Sequence, residues 1–186
     1  MKIIIRLGLT LMVVSLVAAL ALGLTFALTN EQIKRQAKEK EAEAFRKVLP
    51  QVKRAEDFKE KKDLTKKIQK KYEEVNKVAE GYVSGKKVGT VVVVWPRGYG
   101  GYIKMAVGLD TDGKVTDYAL IEHNETPGLG TAIEESSFRK KFKGKEARDP
   151  VEIARDIDAI TGATVSSRAV TKGVRISLDA YSKIRE

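Results

Sequence analysis

Residues 7–28 form a run of 22 positions without a charged side chain (LGLTLMVVSLVAALALGLTFAL). As a helix, such a run reaches ~33 Å, enough to cross a hydrocarbon core of about 30 Å. A segment of this composition either spans a membrane or is removed as a leader. Lys2 and Arg6 would be the basic start of a signal peptide, with Ala19-Leu20-Ala21 as its small-residue cleavage site. The apolar run continues past that site through Leu22, Leu24, Phe26 and Leu28, so an uncleaved transmembrane helix over 7–29 behind a short tail at 1–6 is expected. Cleavage is the alternative. One span without a charge supplies no ion pathway of its own.

Basic residues flank the run on both sides, Lys2 and Arg6 before it and Lys34, Arg35, Lys38 and Lys40 after it. The positive-inside rule therefore gives no orientation. The absence of cysteine excludes disulfides, Cys-ligated clusters and a cysteinyl lipid anchor. The formal charge of +10 becomes +8 when Lys2 and Arg6 are set aside, and much of the excess lies between Lys53 and Lys77. Only Phe58 and Tyr72 are aromatic there, too few for a base-stacking platform, so no nucleic-acid partner is expected. A solvated helical face, or contact with the anionic headgroups of the lipid bilayer, accounts for the charge.

Ile33, Ala37, Ala44, Phe45 and Val48 recur at helical spacing up to Pro50, and Leu64, Ile68, Tyr72, Val75 and Ala79 repeat the pattern. Residues 30–80 are accordingly expected as a charged helical stalk outside the core. From Gly81 the pattern becomes that of strands: a hairpin turning at 84–87, with Val88 to Trp95 as a buried strand. A second hairpin pairs 102–109 with 114–123 around Asp112-Gly113, where glycine supplies the positive φ of a tight turn. Helical composition returns at 131–142, residues 151–157 are expected to be extended, and 165–184 form a closing helix with Val170, Val174, Leu178 and Tyr181 on one face. The fold class is α+β, an antiparallel sheet packed with helices over residues 81–186, preceded by the transmembrane helix.

Asp158-Ala159-Ile160-Thr161-Gly162-Ala163-Thr164 places a hydroxyl, Thr164, among small residues where that last helix begins. A helix N-terminus leaves its first N–H groups without intrahelical partners and carries partial positive charge, which suits a phosphate. Ordinary capping chemistry uses the same residue types. Other stretches keep this one company: Gly98-Tyr99-Gly100-Gly101-Tyr102-Ile103, Val107-Gly108-Leu109-Asp110, Asp112-Gly113-Lys114-Val115 and Glu125-Thr126-Pro127-Gly128-Leu129-Gly130. In this order they resemble the FMN-binding domain family, whose flavinylation motif is D-x-x-(S/T)-G-A-T. The short format is similar to the G subunits of Rnf-type ion-translocating electron-transport complexes. Those are related to the C subunit of the Na⁺-translocating NADH:quinone reductase.

The resemblance implies FMN carried covalently, as a phosphoester on Thr164, by an extracytoplasmic domain of a cell-membrane protein. It also implies a flavin transferase that uses FAD and Mg²⁺, and partner subunits, both membrane and peripheral, in a ferredoxin:NAD⁺ oxidoreductase. In this picture the chain transfers electrons and has no catalytic residue or metal site of its own. Thr161, Gly162 and Ala163 would admit or bond the phosphate, and Asp158 would either orient the Thr164 hydroxyl or serve as a cap or turn residue. Thr126, Gly128 and Leu129 are assigned to the flavin environment, with a plain Pro-Gly turn as their alternative. The competing functions are an unflavinylated assembly or binding module of a membrane complex with the same fold, and the related subunit of a Na⁺-pumping NADH:quinone reductase. His123, the single histidine, is expected at a strand end, and Trp95, Tyr99 and Tyr102 in packing more than in stacking on a ligand.

Overall fold

The computed structural model describes residues 2–185 and divides into two compact units, Met1–Lys40 and Glu41–Glu186. The described residues of the first unit belong to α1 (Lys2–Val48), the one helix among the described residues long and apolar enough to cross a membrane. Three of its hydroxyls bond back along the helix. Thr10, Thr25 and Thr29 donate to the carbonyls of Arg6, Ala21 and Thr25 at 2.9, 2.8 and 2.8 Å. No hydroxyl proton among these three is left to face hydrocarbon.

The second unit is built on a five-stranded antiparallel meander in sequence order: β1 (Phe58–Glu60), β2 (Val75–Val83), β3 (Lys86–Val94), β4 (Lys104–Leu109) and β5 (Val115–Glu122). Ser84 and Gly85 join β2 to β3 with φ of 51° and 79°, the paired positive values that match the twist of two-residue hairpins. Strand β3 feeds both faces of the sheet. Val92 and Val94 join Met105, Val107 and Tyr118 under α4 (Thr164–Arg185), while Val91 and Val93 join Ala106, Ala119 and Ile121 on the other side.

That second face is covered by the end of α1 and the residues after it. Ala44, Phe45, Val48, Leu49 and Val52 are buried there, and Thr116 donates to the Val48 carbonyl at 2.5 Å. The approach is so close that a Cβ on Gly89 would lie 2.8 Å from Leu49, and one on Gly108 2.8 Å from the Val48 Cβ.

The helical stalk expected over 30–80 is therefore not what forms. The second apolar pattern, Leu64 to Ala79, divides into α2 (Lys62–Gln69) and strand β2, and Ile68, Val75, Val78 and Ala79 are core residues. Helical spacing and strand alternation overlap in a run this short, and pairing of β2 with β3 decides between them. Two further stretches also differ. Residues 131–142 hold a 3₁₀ turn (Gly130–Glu134) and one helical turn, α3 (Ser136–Arg139). Residues 151–157 fold into a tight turn closed by an Ile153–Ile157 bridge, with Val151 and Ala154 at φ of 44° and 67°.

Candidate functional site

The acceptor turn is set by three hydrogen bonds. Ala163 N–H donates to the Ile160 carbonyl at 2.9 Å across a turn whose third residue, Gly162, has φ of 80°. Ile160 N–H donates to Ser167 Oγ at 3.1 Å, and Ser167 N–H to the Ala163 carbonyl at 2.9 Å. Helix α4 thus begins at Thr164, whose side chain is exposed. Among the described residues no acceptor takes the N–H groups of Thr164, Val165 or Ser166. Orphan donors at the positive end of a helix dipole suit an anion.

Beneath this turn lies Glu125, with 4% of its surface exposed. Its Oε1 accepts the Gly100 N–H at 3.0 Å, and its Oε2 accepts the Ser166 hydroxyl. The Glu125 N–H donates to His123 Nδ1 at 3.2 Å, while His123 Nε2 lies 2.7 Å from Glu134 Oε1. With Nδ1 accepting, the imidazole proton sits on Nε2 and points to Glu134. Behind the loop, the Tyr118 hydroxyl donates to the Ile133 carbonyl, and burial pushes that phenol up.

A cavity of about 490 Å³ opens at this place, lined by Tyr99, Glu125, Thr126, Leu129, Gly130 and residues 162–166. Its lining brings the Thr164 hydroxyl and the orphan N–H groups together with three exposed apolar side chains, Tyr99, Leu129 and Val165. A Cβ on Gly162 would sit 2.8 Å from Leu129 Cδ1, so this wall needs a glycine. The donor set and shape fit a phosphate ester with an apolar body, as FMN is. Two larger clefts, of about 790 and 590 Å³, lie elsewhere and include neither Thr164 nor its neighbours.

Of the residues singled out in sequence, Thr164, Gly162, Ala163, Thr126 and Leu129 meet in the cavity wall. Asp158 and Thr161 do not. The Asp158 side chain is 94% exposed and 3.5 Å from Lys141 Nζ, and Thr161 is an exposed turn residue. Gly128 also lies off the wall, at φ of 73°, donating its N–H to Thr131 Oγ1 at 2.9 Å. Tyr99 reaches the cavity, whereas Trp95 and Tyr102 line the 790 Å³ cleft. Asp110 closes its hairpin by accepting the N–H groups of Asp112 and Lys114, both at 2.9 Å. Sequence reasoning missed Val165 and the buried bridging role of Glu125. No local signal marks the latter, because Glu125 sits among Glu122, His123, Asn124 and Thr126 in an ordinary polar loop.

The turn, the orphan donors and the cavity all lie within residues 98–179, which match the FMN-binding domain family. Residues 1–48 match the RnfG N-terminal region. The G subunit of the Na⁺-translocating ferredoxin:NAD⁺ oxidoreductase complex of Acetobacterium woodii is 35% identical over 98% of this chain and 94% of its own length. The G subunit of the ion-translocating oxidoreductase complex of Methanosarcina acetivorans is 33% identical over 93% of this chain and 92% of its own. In Clostridium ljungdahlii the G subunit of the proton-translocating ferredoxin:NAD⁺ oxidoreductase complex is 42% identical, over 59% of this chain and 63% of its own. The chain belongs to the G-subunit family of ion-translocating oxidoreductase complexes.

Proposed function

We propose that this chain is the membrane-anchored electron-transfer subunit of an ion-translocating ferredoxin:NAD⁺ oxidoreductase complex, carrying FMN esterified through its phosphate to Thr164 Oγ1. The observation that carries this is the exposed Thr164 hydroxyl at the first position of α4, beside three unclaimed N–H groups and at the edge of a cavity of about 490 Å³. The N–H groups of residues 164–166 would hold the phosphate oxygens. Gly162 leaves the room, and Leu129, Val165 and Tyr99 supply apolar wall. When bound, FMN supplies redox chemistry that no side chain of this cysteine-free protein offers.

Attachment forms a bond from Thr164 Oγ1 to the flavin-side phosphorus of FAD and breaks the bond to AMP. The hydroxyl proton leaves to solvent, and a separate transferase with Mg²⁺ conducts the exchange. Asp158 and Thr161, which face outward, serve that transferase in this reading and not the bound flavin. The domain sits on the extracytoplasmic side of the cell membrane, where a lost flavin is not replaced and a covalent tether secures occupancy. Other membrane and peripheral subunits of the complex donate and accept its electrons.

Intact mass and in-gel flavin fluorescence of the full chain, coexpressed with and without a flavin transferase, test this. The expected result is a mass gain of FMN less water that needs the transferase and disappears in Thr164→Ala. No gain in the presence of active transferase overturns the carrier and leaves an assembly module.

A further inference from the structure

Three separate stretches of chain form the wall of the Thr164 cavity, and each touches Glu125. The 97–102 loop is held through Gly100 N–H at 3.0 Å, and the first turn of α4 through the Ser166 hydroxyl. The 123–130 loop contributes Glu125 itself, and a Cβ on Gly130 would lie 3.0 Å from its Cβ. Gly98 and Gly100 leave no room for a side chain against Glu125 and the Asn124 carbonyl. Both carboxyl oxygens are occupied and only 4% of the residue is exposed, so a shift of the 97–102 loop or of the first turn of α4 leaves a buried oxygen unpaired, which is unfavourable.

We infer that Glu125 is a positioning residue for flavin attachment: through Ser166 it fixes the register of the acceptor turn, and so the place of the Thr164 hydroxyl, against the 97–102 loop. This deepens the proposed function and rests on it for the chemistry, while the positioning itself is a property of the flavin-free chain. Ser166 lies two residues beyond Thr164 within the same helical turn, so loss of its anchor frees the acceptor directly. Orientation is where such a loss is felt, because displacing a nucleophile by about 1 Å from its attacking geometry slows a reaction on the order of a hundredfold.

The test has two measurements on the full chain in micelles. In the flavin-free protein, amide exchange of Ala163, Ser167 and Gly100 is compared with that of Val170 and Val174 in the middle of α4. Glu125→Ala is expected to speed the first three at least tenfold and leave the last two unchanged. Ser166→Ala should speed only Ala163 and Ser167. Glu125→Gln should come close to the native protein, since its amide oxygen still accepts from Gly100 and its NH₂ meets the Ser166 oxygen. Equal acceleration at all five amides, or none, overturns the inference.

The second measurement is FMN transfer from FAD with limiting transferase. Glu125→Ala should lower kcat at least tenfold with the KM for FAD unchanged, and Glu125→Gln should restore it. Native kinetics in Glu125→Ala overturn the inference. A native chain that takes up no flavin overturns the proposed function instead, and amide exchange then decides the positioning alone.

Discussion

Gly162 and Gly144 share a left-handed φ, 80° and 81°, in different surroundings. A Cβ at 144 meets nothing within 4 Å, whereas one at 162 lies 2.8 Å from Leu129 Cδ1. Alanine at either position bears the left-handed penalty of about 1–2 kcal/mol. The added contact at 162 is cheap in stability, because Leu129 is 47% exposed and its side chain swings outward. The swing is not cheap for the site, since Leu129 is one wall of the Thr164 cavity. Gly162→Ala and Gly144→Ala should therefore lose the same stability within about 0.5 kcal/mol, read by urea unfolding in detergent. Flavin incorporation should separate them: native rates for Gly144→Ala, and at least tenfold slower for Gly162→Ala. Equal incorporation in the two variants, or a stability gap of several kcal/mol between them, would refute the assignment of Leu129 and Gly162 to one wall.

Two further outcomes follow from the second unit. Burial pushes the Glu80 carboxyl up, but hydrogen bonds from Lys87 (2.6 Å) and Tyr82 (2.8 Å) and the ion pair with Lys61 (3.2 Å) outweigh it and bring it down from 4.5 to about 2. A carboxyl lowered by folding stabilises above its unfolded value and ceases to as pH falls through its folded one, so on the order of 3 kcal/mol is present at pH 7 and lost between pH 5 and pH 2. The stability difference between native and Glu80→Gln protein should shrink over that window, and a difference independent of pH would contradict the pairing. Leu49→Ala, at a fully buried position after α1, should cost about 2–5 kcal/mol. A loss below ~0.5 kcal/mol would return residues 41–52 to the role of a surface stalk.

The membrane-length helix, the two hairpins and the closing helix were all legible, because each rests on local pattern: an uncharged run, Val alternation beside glycine turns, and 3.6-residue spacing. The stalk was not. Lys59, Lys61, Lys66 and Lys77 make residues 53–77 look solvated, yet Lys61 and Lys77 are paired with Glu80 and Glu41, and Lys104 joins Glu41 at 3.2 Å. Pairing across sequence distance gives Lys61 and Lys77 partners that their own stretch does not show. The site divided the same way. Thr164 and its glycine were readable from one motif, while Glu125 acquires its meaning from Gly100 and Ser166, 25 residues before it and 41 after it.

The two-faced sheet explains why the sequence around the hairpins is so rich in valine and glycine at once. A sheet with one wet face alternates apolar and polar residues, but residues 91–94 are all fully buried because α4 covers one face and residues 44–52 the other. On the α4 side the helix comes close enough that a Cβ on Gly173 would meet Met105 Sδ at 2.7 Å. On the other side Gly89 and Gly108 admit Val48 and Leu49 in the same manner. Close contact along α4 holds its axis, and Ser167 and Glu125 then hold its first turn. A helix fixed in this way along its buried length presents Thr164 from a rigid base, which a nucleophile waiting at a loop tip would lack.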